Sequence, residues 1–280
     1  MIDVFYTENM VANAQSFSPS AAKPRAVVAS WKRQFTQLRF AEPAPATTEQ
    51  LTLAHDPGYV REVLALREPN GFGNRLPEVA AALPYTSGAM IAAARDARRN
   101  GRVAVAPVSG FHHACYDHGG GYCTFNGLVV AAQVLNKENA AKRVGILDFD
   151  QHYGNGTTNI CRELGLDWIA HYSAAADWER PEQADSFLAA IPKIMQRFSG
   201  CEVLLYQAGA DPHIDDPLGG WLTTEQLRIR DRLVFEHCRA MQLPIAWNLA
   251  GGYQTSLRKV LDIHDNTMRE CIRVFDTGRV

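Results

Sequence analysis

Along the chain, short unbroken apolar runs alternate with longer stretches of helical period. VAVAP at 103–107, VGILD at 144–148, WIAHY at 168–172, VLLYQ at 203–207 and PIAWNL at 244–249 are such runs. They have the pattern of strands covered on both faces. Between and around them, apolar residues recur at three- and four-residue spacing. That spacing predicts helices over 57–67, 88–99, 126–136, 181–198, 224–241 and 256–274. Thr223 and Gln226 stand at capping-box spacing at the start of the fifth helix. Such alternation predicts βαβ units and an α/β class: an open, largely parallel sheet with helices on both faces. AEPAPATTEQ at 41–50 is a Pro/Ala loop leading into a helix rather than a domain linker.

Composition changes this picture mainly by exclusion. The 280 residues are 46% apolar, enough to bury a sizeable core. The formal net charge is -2 and the pI about 6.5, so no electrostatic grip on nucleic acid or on an anionic membrane is expected. Arg95, Arg98, Arg99 and Arg102 fit the solvated end of a helix. Six cysteines are scattered with no C-x-x-C pair, against a zinc finger or a disulfide scaffold. Reduced thiols and a cytoplasmic location are expected. No leader and no run of about 18 apolar residues is visible, so no membrane span is expected.

The chemistry gathers at predicted strand ends. In open parallel sheets, ligands bind beyond the carboxyl ends of the strands. The run at 103–107 leads into SGFHHA, with Gly110, His112 and His113. The run at 144–148 leads into DFDQHYGNG, with Asp148, Asp150, His152 and Asn155. The later runs lead into AGAD, with Asp211, and AGGY, with Gly251, Gly252 and Tyr253. If DFDQH continues the strand, Asp148, Asp150 and His152 share one face at period two. Two unpaired buried carboxylates would repel at a cost of several kcal/mol; a divalent cation removes that cost. Asp150, His152 and Asp211 make a carboxylate–imidazole–carboxylate set that leaves a position open, the pattern of a catalytic metal site. An adjacent His pair is by itself ordinarily incidental. Beside a metal, His112 and His113 suit general base and acid work, with Asp148 and Asn155 to set their tautomers. A phenol at Tyr253 suits donation to a developing oxyanion.

Taken together, HHA at 112–114, GYCTFN at 121–126, DFDQHYGNG at 148–156, AGAD at 208–211 with Asp216-Pro217, and GGY at 251–253 resemble the histone deacetylase and acetylpolyamine amidohydrolase family. The resemblance spans about half of the chain. It implies the arginase–deacetylase fold, with one catalytic domain over 1–280 that is matched only loosely over 1–80. It implies a zinc-dependent amidohydrolase that removes an acetyl or other short acyl group from an amine. The amine would be an acyl-lysine, an acetylpolyamine or a related small molecule. By position, Asp150, His152 and Asp211 correspond to the zinc ligands. His112 and His113 correspond to the tandem catalytic histidines, partnered by Asp148 and Asn155. Tyr253 corresponds to the oxyanion-stabilising tyrosine, and Gly121 and Tyr122 to walls of the acyl-lysine channel. The hard donor set also admits Fe2+ or Co2+.

Departures from the family pattern shape the remaining expectations. The segment after the run at 168–172, which usually supplies a second channel aromatic, is short, and Trp178 is the candidate substitute. That segment normally also contributes to a monovalent K+ or Na+ site, which the sequence therefore leaves open. Asn155 stands where some members carry Asp, and Tyr153 where a second His is common. The loop at 70–75, with Phe72 between glycines, is a candidate cover for the mouth. Cys123 reads as a small buried hydrophobe, His55 as a helix-end residue and His264 as structural. Two alternatives stay open at this point: a binuclear manganese ureohydrolase-like enzyme, which needs further carboxylates, and a catalytically silent acyl-amine binder. The oligomeric state is also open, a dimer included.

Overall fold

A computed structural model describes residues 1–276. Seven strands form one sheet: β1 Ile2–Phe5, β2 Leu38–Ala41, β3 Val103–Ala106, β4 Val144–Asp148, β5 Ile169–Ser173, β6 Val203–Gln207 and β7 Ile245–Asn248. Their order is β2-β1-β3-β7-β6-β4-β5 and every pairing is parallel. Among the described residues nine α-helices accompany them: α1 Lys23–Gln34, α2 Thr48–Leu51, α3 Pro57–Leu64, α4 Pro77–Asn100, α5 Gly127–Lys137, α6 Asn155–Glu163, α7 Ala184–Gln196, α8 Thr224–Ala240 and α9 Leu257–Phe275. None is long and apolar enough to cross a membrane.

The five expected strands are present, and β3, β4, β6 and β7 are buried along their whole length. Alternate side chains feed two cores. Ala104, Ile146, Leu205 and Ala246 pack toward α4 and α5, and Val105, Leu147, Leu204 and Trp247 toward α7, α8 and α9. A helix pattern that started at 88 in the sequence begins at Pro77, with Pro84 inside it. The 181–198 helix is split, a 3₁₀ turn at Pro181–Gln183 preceding α7. The Thr223–Gln226 capping box forms at α8, and Thr47 and Gln50 make a second one at α2.

The chain crosses from β3 to β4, leaving between them a gap that β6 and β7 later fill. The carboxyl ends of β3, β7, β6 and β4 thus lie side by side, a crevice of the kind in which α/β proteins bind ligands. β4 stops at Asp148, and Phe149–His152 turns away from strand geometry. The period-two placement of Asp148, Asp150 and His152 is therefore corrected. These side chains converge because the segment bends, with the Asp150 and His152 amides donating to Asp148 Oδ1 (3.1 Å) and Asp150 Oδ1 (3.0 Å).

Candidate active site

Asp150, His152 and Asp211 each offer one ligand atom, and the three atoms lie within 4.8 Å of one another. His152 Nδ1 is 3.3 Å from Asp150 Oδ1 and 3.2 Å from Asp211 Oδ2. Both carboxylates are buried and His152 is partly exposed, so the set opens on one side. Asp211 Oδ2 receives no well-aligned hydrogen bond. Burial and the neighbouring Asp150 charge push the Asp211 carboxyl up. Burial also pushes on Asp150, but the His112 and His152 charges hold it well below the usual carboxylate range. Two buried acids competing for one imidazole are an unstable arrangement that a cation relieves. An O, N, O donor set with one open side fits a catalytic divalent ion. No other cluster of three or more such side chains is close enough to hold a metal among the described residues.

The neighbouring backbone enforces this geometry. The Gly251 amide donates to Asp150 Oδ2 at 2.8 Å. A side chain there is not tolerated, since a Cβ would sit 2.2 Å from Asp211 Oδ2. The Gln151 amide reaches Asp211 Oδ1 at 3.3 Å.

The two histidines are held differently. His112 Nδ1 donates to Asp148 Oδ2 at 2.7 Å, with both groups buried. Gln207 Nε2 donates to Asp148 Oδ1 at 3.2 Å, and Gln207 Oε1 accepts from the Phe111 amide at 3.2 Å. Burial alone would lower the His112 pKa, but Asp148, Asp150 and Asp211 together raise it to about 9. His113 Nδ1 donates to Asn155 Oδ1 at 2.6 Å, leaving Nε2 free of that bond. Burial first, and the neighbouring His112 charge second, lower its pKa.

Tyr253 closes the other side. Its amide donates to Asp216 Oδ2 at 2.8 Å, so the Asp-Pro that follows AGAD pins the GGY turn. Its hydroxyl is pushed far up by burial and the acids nearby, so it stays a proton donor. The rings of Tyr122 and Tyr253 lie 5.7 Å apart. Gly121 and Tyr122 both have left-handed backbone, φ +52° and +64°. A Cβ at Gly121 would lie 2.4 Å from the His113 ring, so glycine is required there on two counts. Ser20, Gly110, His112, Gly121, Tyr122, Cys123, Asp150, Gly251 and Tyr253 line one small pocket. Trp178 does not. It packs against Phe187 at 5.7 Å and donates to the Tyr172 hydroxyl, so its expected role as second channel wall is corrected. Phe72 lies beside Tyr122, 5.7 Å between ring centroids. His55 stands directly before Asp56, the N-cap of α3, and is wholly buried. Its Nδ1 donates to the Cys115 carbonyl and its Nε2 accepts from the Asn126 amide.

The histone deacetylase domain model matches residues 19–165 and 169–268. The chain belongs to the histone deacetylase family. It is therefore a deacetylase-type hydrolase. An uncharacterized protein of Picosynechococcus is 26% identical over 238 residues, 76% of this chain and 78% of that one. The HDA15 HD domain superposes with a TM-score of 0.79 at 20% identity, over 97% of this chain and 91% of that one. The acetylpolyamine aminohydrolase from Burkholderia pseudomallei gives 0.75 at 17% identity, over 98% and 99%. Both superpositions establish the arginase–deacetylase fold.

Three supporting side chains escaped the sequence reading. Arg230 on α8 is completely buried. Its Nη1 donates to the carbonyls of Phe149 (2.9 Å) and Gly209 (2.8 Å), in the segments that carry Asp150 and Asp211. Its Nε pairs with Asp231, which also accepts from the Tyr206 and Thr267 hydroxyls. Lys23, also fully buried, donates from Nζ to the Ala250 and Gly251 carbonyls at 2.7 and 3.0 Å. Burial lowers its pKa to about 8, against the pull of Asp211, Asp150 and Asp216. The third is Gln207. No local spacing marks any of the three. The single available signal is a charged or amide residue at a position the apolar pattern reserves for the core.

Proposed function

We propose that this family member is a zinc-dependent amidohydrolase working as a single catalytic domain, releasing a short carboxylic acid from an acylated amine. The observation that carries the reading is the Asp150–His152–Asp211 cage within 4.8 Å, beside a His113 held by Asn155. Asp150, His152 and Asp211 would hold a zinc ion, which would supply Lewis acidity to the carbonyl and the attacking water. Fe2+ or Co2+ suits the same donors.

His113 is neutral at pH 7, because its pKa is lowered. With Nδ1–H committed to Asn155, its Nε2 accepts the proton of the attacking water. The water oxygen bonds to the carbonyl carbon, and the Tyr253 hydroxyl donates to the oxygen that becomes negative. His113 then returns the proton to the amine nitrogen as the C–N bond breaks. His112, fixed by Asp148, positions the water and carries positive charge. Gly121 and Tyr122 flank the amine side. The substrate class is an acyl-lysine, an acetylpolyamine or a related small acylated amine, met in the cytoplasm.

Acid release from a panel of N-acetylated polyamines and acetyl-lysine peptides, with the metal content of the same sample, tests the reading. Turnover that falls about 10²-fold or more in Tyr253→Phe, with metal lost in Asp211→Ala, supports it. Full zinc occupancy in Asp211→Ala, or wild-type turnover in Tyr253→Phe, overturns it.

A further inference from the structure

A serine stands in the wall of the reaction pocket beside Tyr253: Ser20, buried in the loop that precedes α1. This short stretch grips the GGY turn twice. Lys23 holds the carbonyls of Ala250 and Gly251, just before Tyr253. Ser20 reaches the Tyr253 hydroxyl itself and donates a hydrogen bond to it. Burial pushes this phenol up, and the serine donor pulls it back down. The loop fixes the direction of the bonds, because a hydroxyl has one proton to give and two lone pairs to receive with. Ser18 Oγ accepts from the Ser20 amide at 3.3 Å and gives its proton to Ser20 Oγ at 2.8 Å. Ser20 Oγ, filled from that side, turns its own proton to Tyr253. The Tyr253 proton is then left for the substrate oxygen. The backbone under Ser20 is anchored. Ser109 donates to the Ser20 carbonyl at 2.8 Å, and the Ala22 and Lys23 amides donate to the Pro19 carbonyl at 3.0 and 2.8 Å. Hydrogen bonds in such a chain polarise one another, so a phenol that accepts from one hydroxyl is a stronger donor to the next group.

We propose, building on the hydrolase reading above, that Ser20 is a positioning residue for the reaction: it aims and strengthens the Tyr253 O–H that faces the developing oxyanion. Ser20 does this without touching the substrate. Its contribution grows as the substrate oxygen becomes negative and the Tyr253 proton is drawn toward it. An interaction that strengthens on the way to the transition state raises kcat and leaves KM nearly unchanged.

The test is kcat and KM for Ser20→Ala and Ser20→Thr, each alone and combined with Tyr253→Phe. Ser20→Ala should lower kcat about fivefold to tenfold, the worth of one neutral hydrogen bond, with KM changed less than about twofold. Ser20→Thr keeps the hydroxyl, and the adjoining cavity that Ser20 also lines has room for its methyl group, so it should recover most of the loss. With Tyr253→Phe in place there is no phenol to act on, and adding Ser20→Ala should change kcat by less than about twofold. The same loss in both backgrounds would mean that Ser20 acts on the substrate or through packing, and overturns the proposal. Wild-type kcat in Ser20→Ala overturns it too. The Cζ NMR resonance of Tyr253, assigned by its loss in Tyr253→Phe, gives a readout independent of turnover. It should move in Ser20→Ala and return in Ser20→Thr; an unmoved resonance in Ser20→Ala overturns the hydrogen bond. A resonance that moves as expected, in a protein that releases acid from no acyl amine, would instead keep the hydrogen bond and overturn the hydrolase reading.

Discussion

His112 and His113 are neighbours in sequence, with ring centroids 4.1 Å apart, yet their surroundings drive them in opposite directions. His112 is buried against a carboxylate and faces two more, and its pKa rises to about 9. His113 is half-buried against a neutral amide, beside a charged His112, and its pKa falls. One imidazole is thereby biased toward its protonated form and the other toward its neutral form. In the proposed mechanism two identical side chains divide acid–base work because His112 faces carboxylates while His113 is held by the neutral amide of Asn155.

The sharpest way to break this division is to remove the base. His113→Gln keeps a polar side chain but no titrating nitrogen, and kcat should drop about 10³-fold, within the 10²–10⁴ range of general acid–base catalysis. Loss of less than tenfold in a pre-steady-state measurement would remove His113 from the proton path. Asp148→Asn should cost less, about 10–100-fold. In the NMR titration of that variant, His112 should fall from about 9 toward the ordinary range. An unmoved titration would mean that Asp148 does not hold its charge.

Arg230→Met tests the support under the cage. Removing the guanidinium leaves two buried carbonyls and Asp231 with fewer partners, so metal affinity measured by chelator competition should fall about 10–100-fold. A lowered Tm with unchanged metal affinity would reduce Arg230 to a packing role. The smallest effect is a pH shift. In the proposed mechanism neutral His113 is the active form, and burial with the His112 charge lowers its pKa from the ordinary 6.5. Activity should therefore hold at pH 7 and fall on the acid side of pH 6.5. Asn155→Asp adds a charge that favours the protonated ring, so this acid limb should move to higher pH. A limb that moves down, or stays, breaks the assignment.

The four strand ends that carry the site were legible because β3, β4, β6 and β7 are buried on both faces and read as apolar runs. What the pattern missed lies at the edge or depends on distance along the chain. β1 and β2 have four residues each, and β2 carries Arg39 paired outward with Asp3. Asp3 and Arg39 interrupt them, so neither gives an unbroken apolar run. α6 begins at Asn155 and its deeply buried positions include only one large apolar residue, Ile160. It is a helix held by the close approach of Gly156 to the His112 loop, where the Thr157 amide donates to the His112 carbonyl. Lys23 and Gly251 are 228 positions apart, and no window of sequence shows that they touch. Trp178 was misplaced for a related reason. A shortened segment invites a nearby aromatic as replacement, but Phe187 and Tyr172 supply that indole with a better-packed site.

The bond from the Gly251 amide to Asp150 spans 101 positions and sets an order of events during synthesis. Until the chain has been made past Gly251, Asp150 has no amide to hold its second oxygen. A nascent chain that ends before that point lacks the bond that fixes Asp150, so on the proposed metal-site reading selective capture of an ion falls to the later steps of folding.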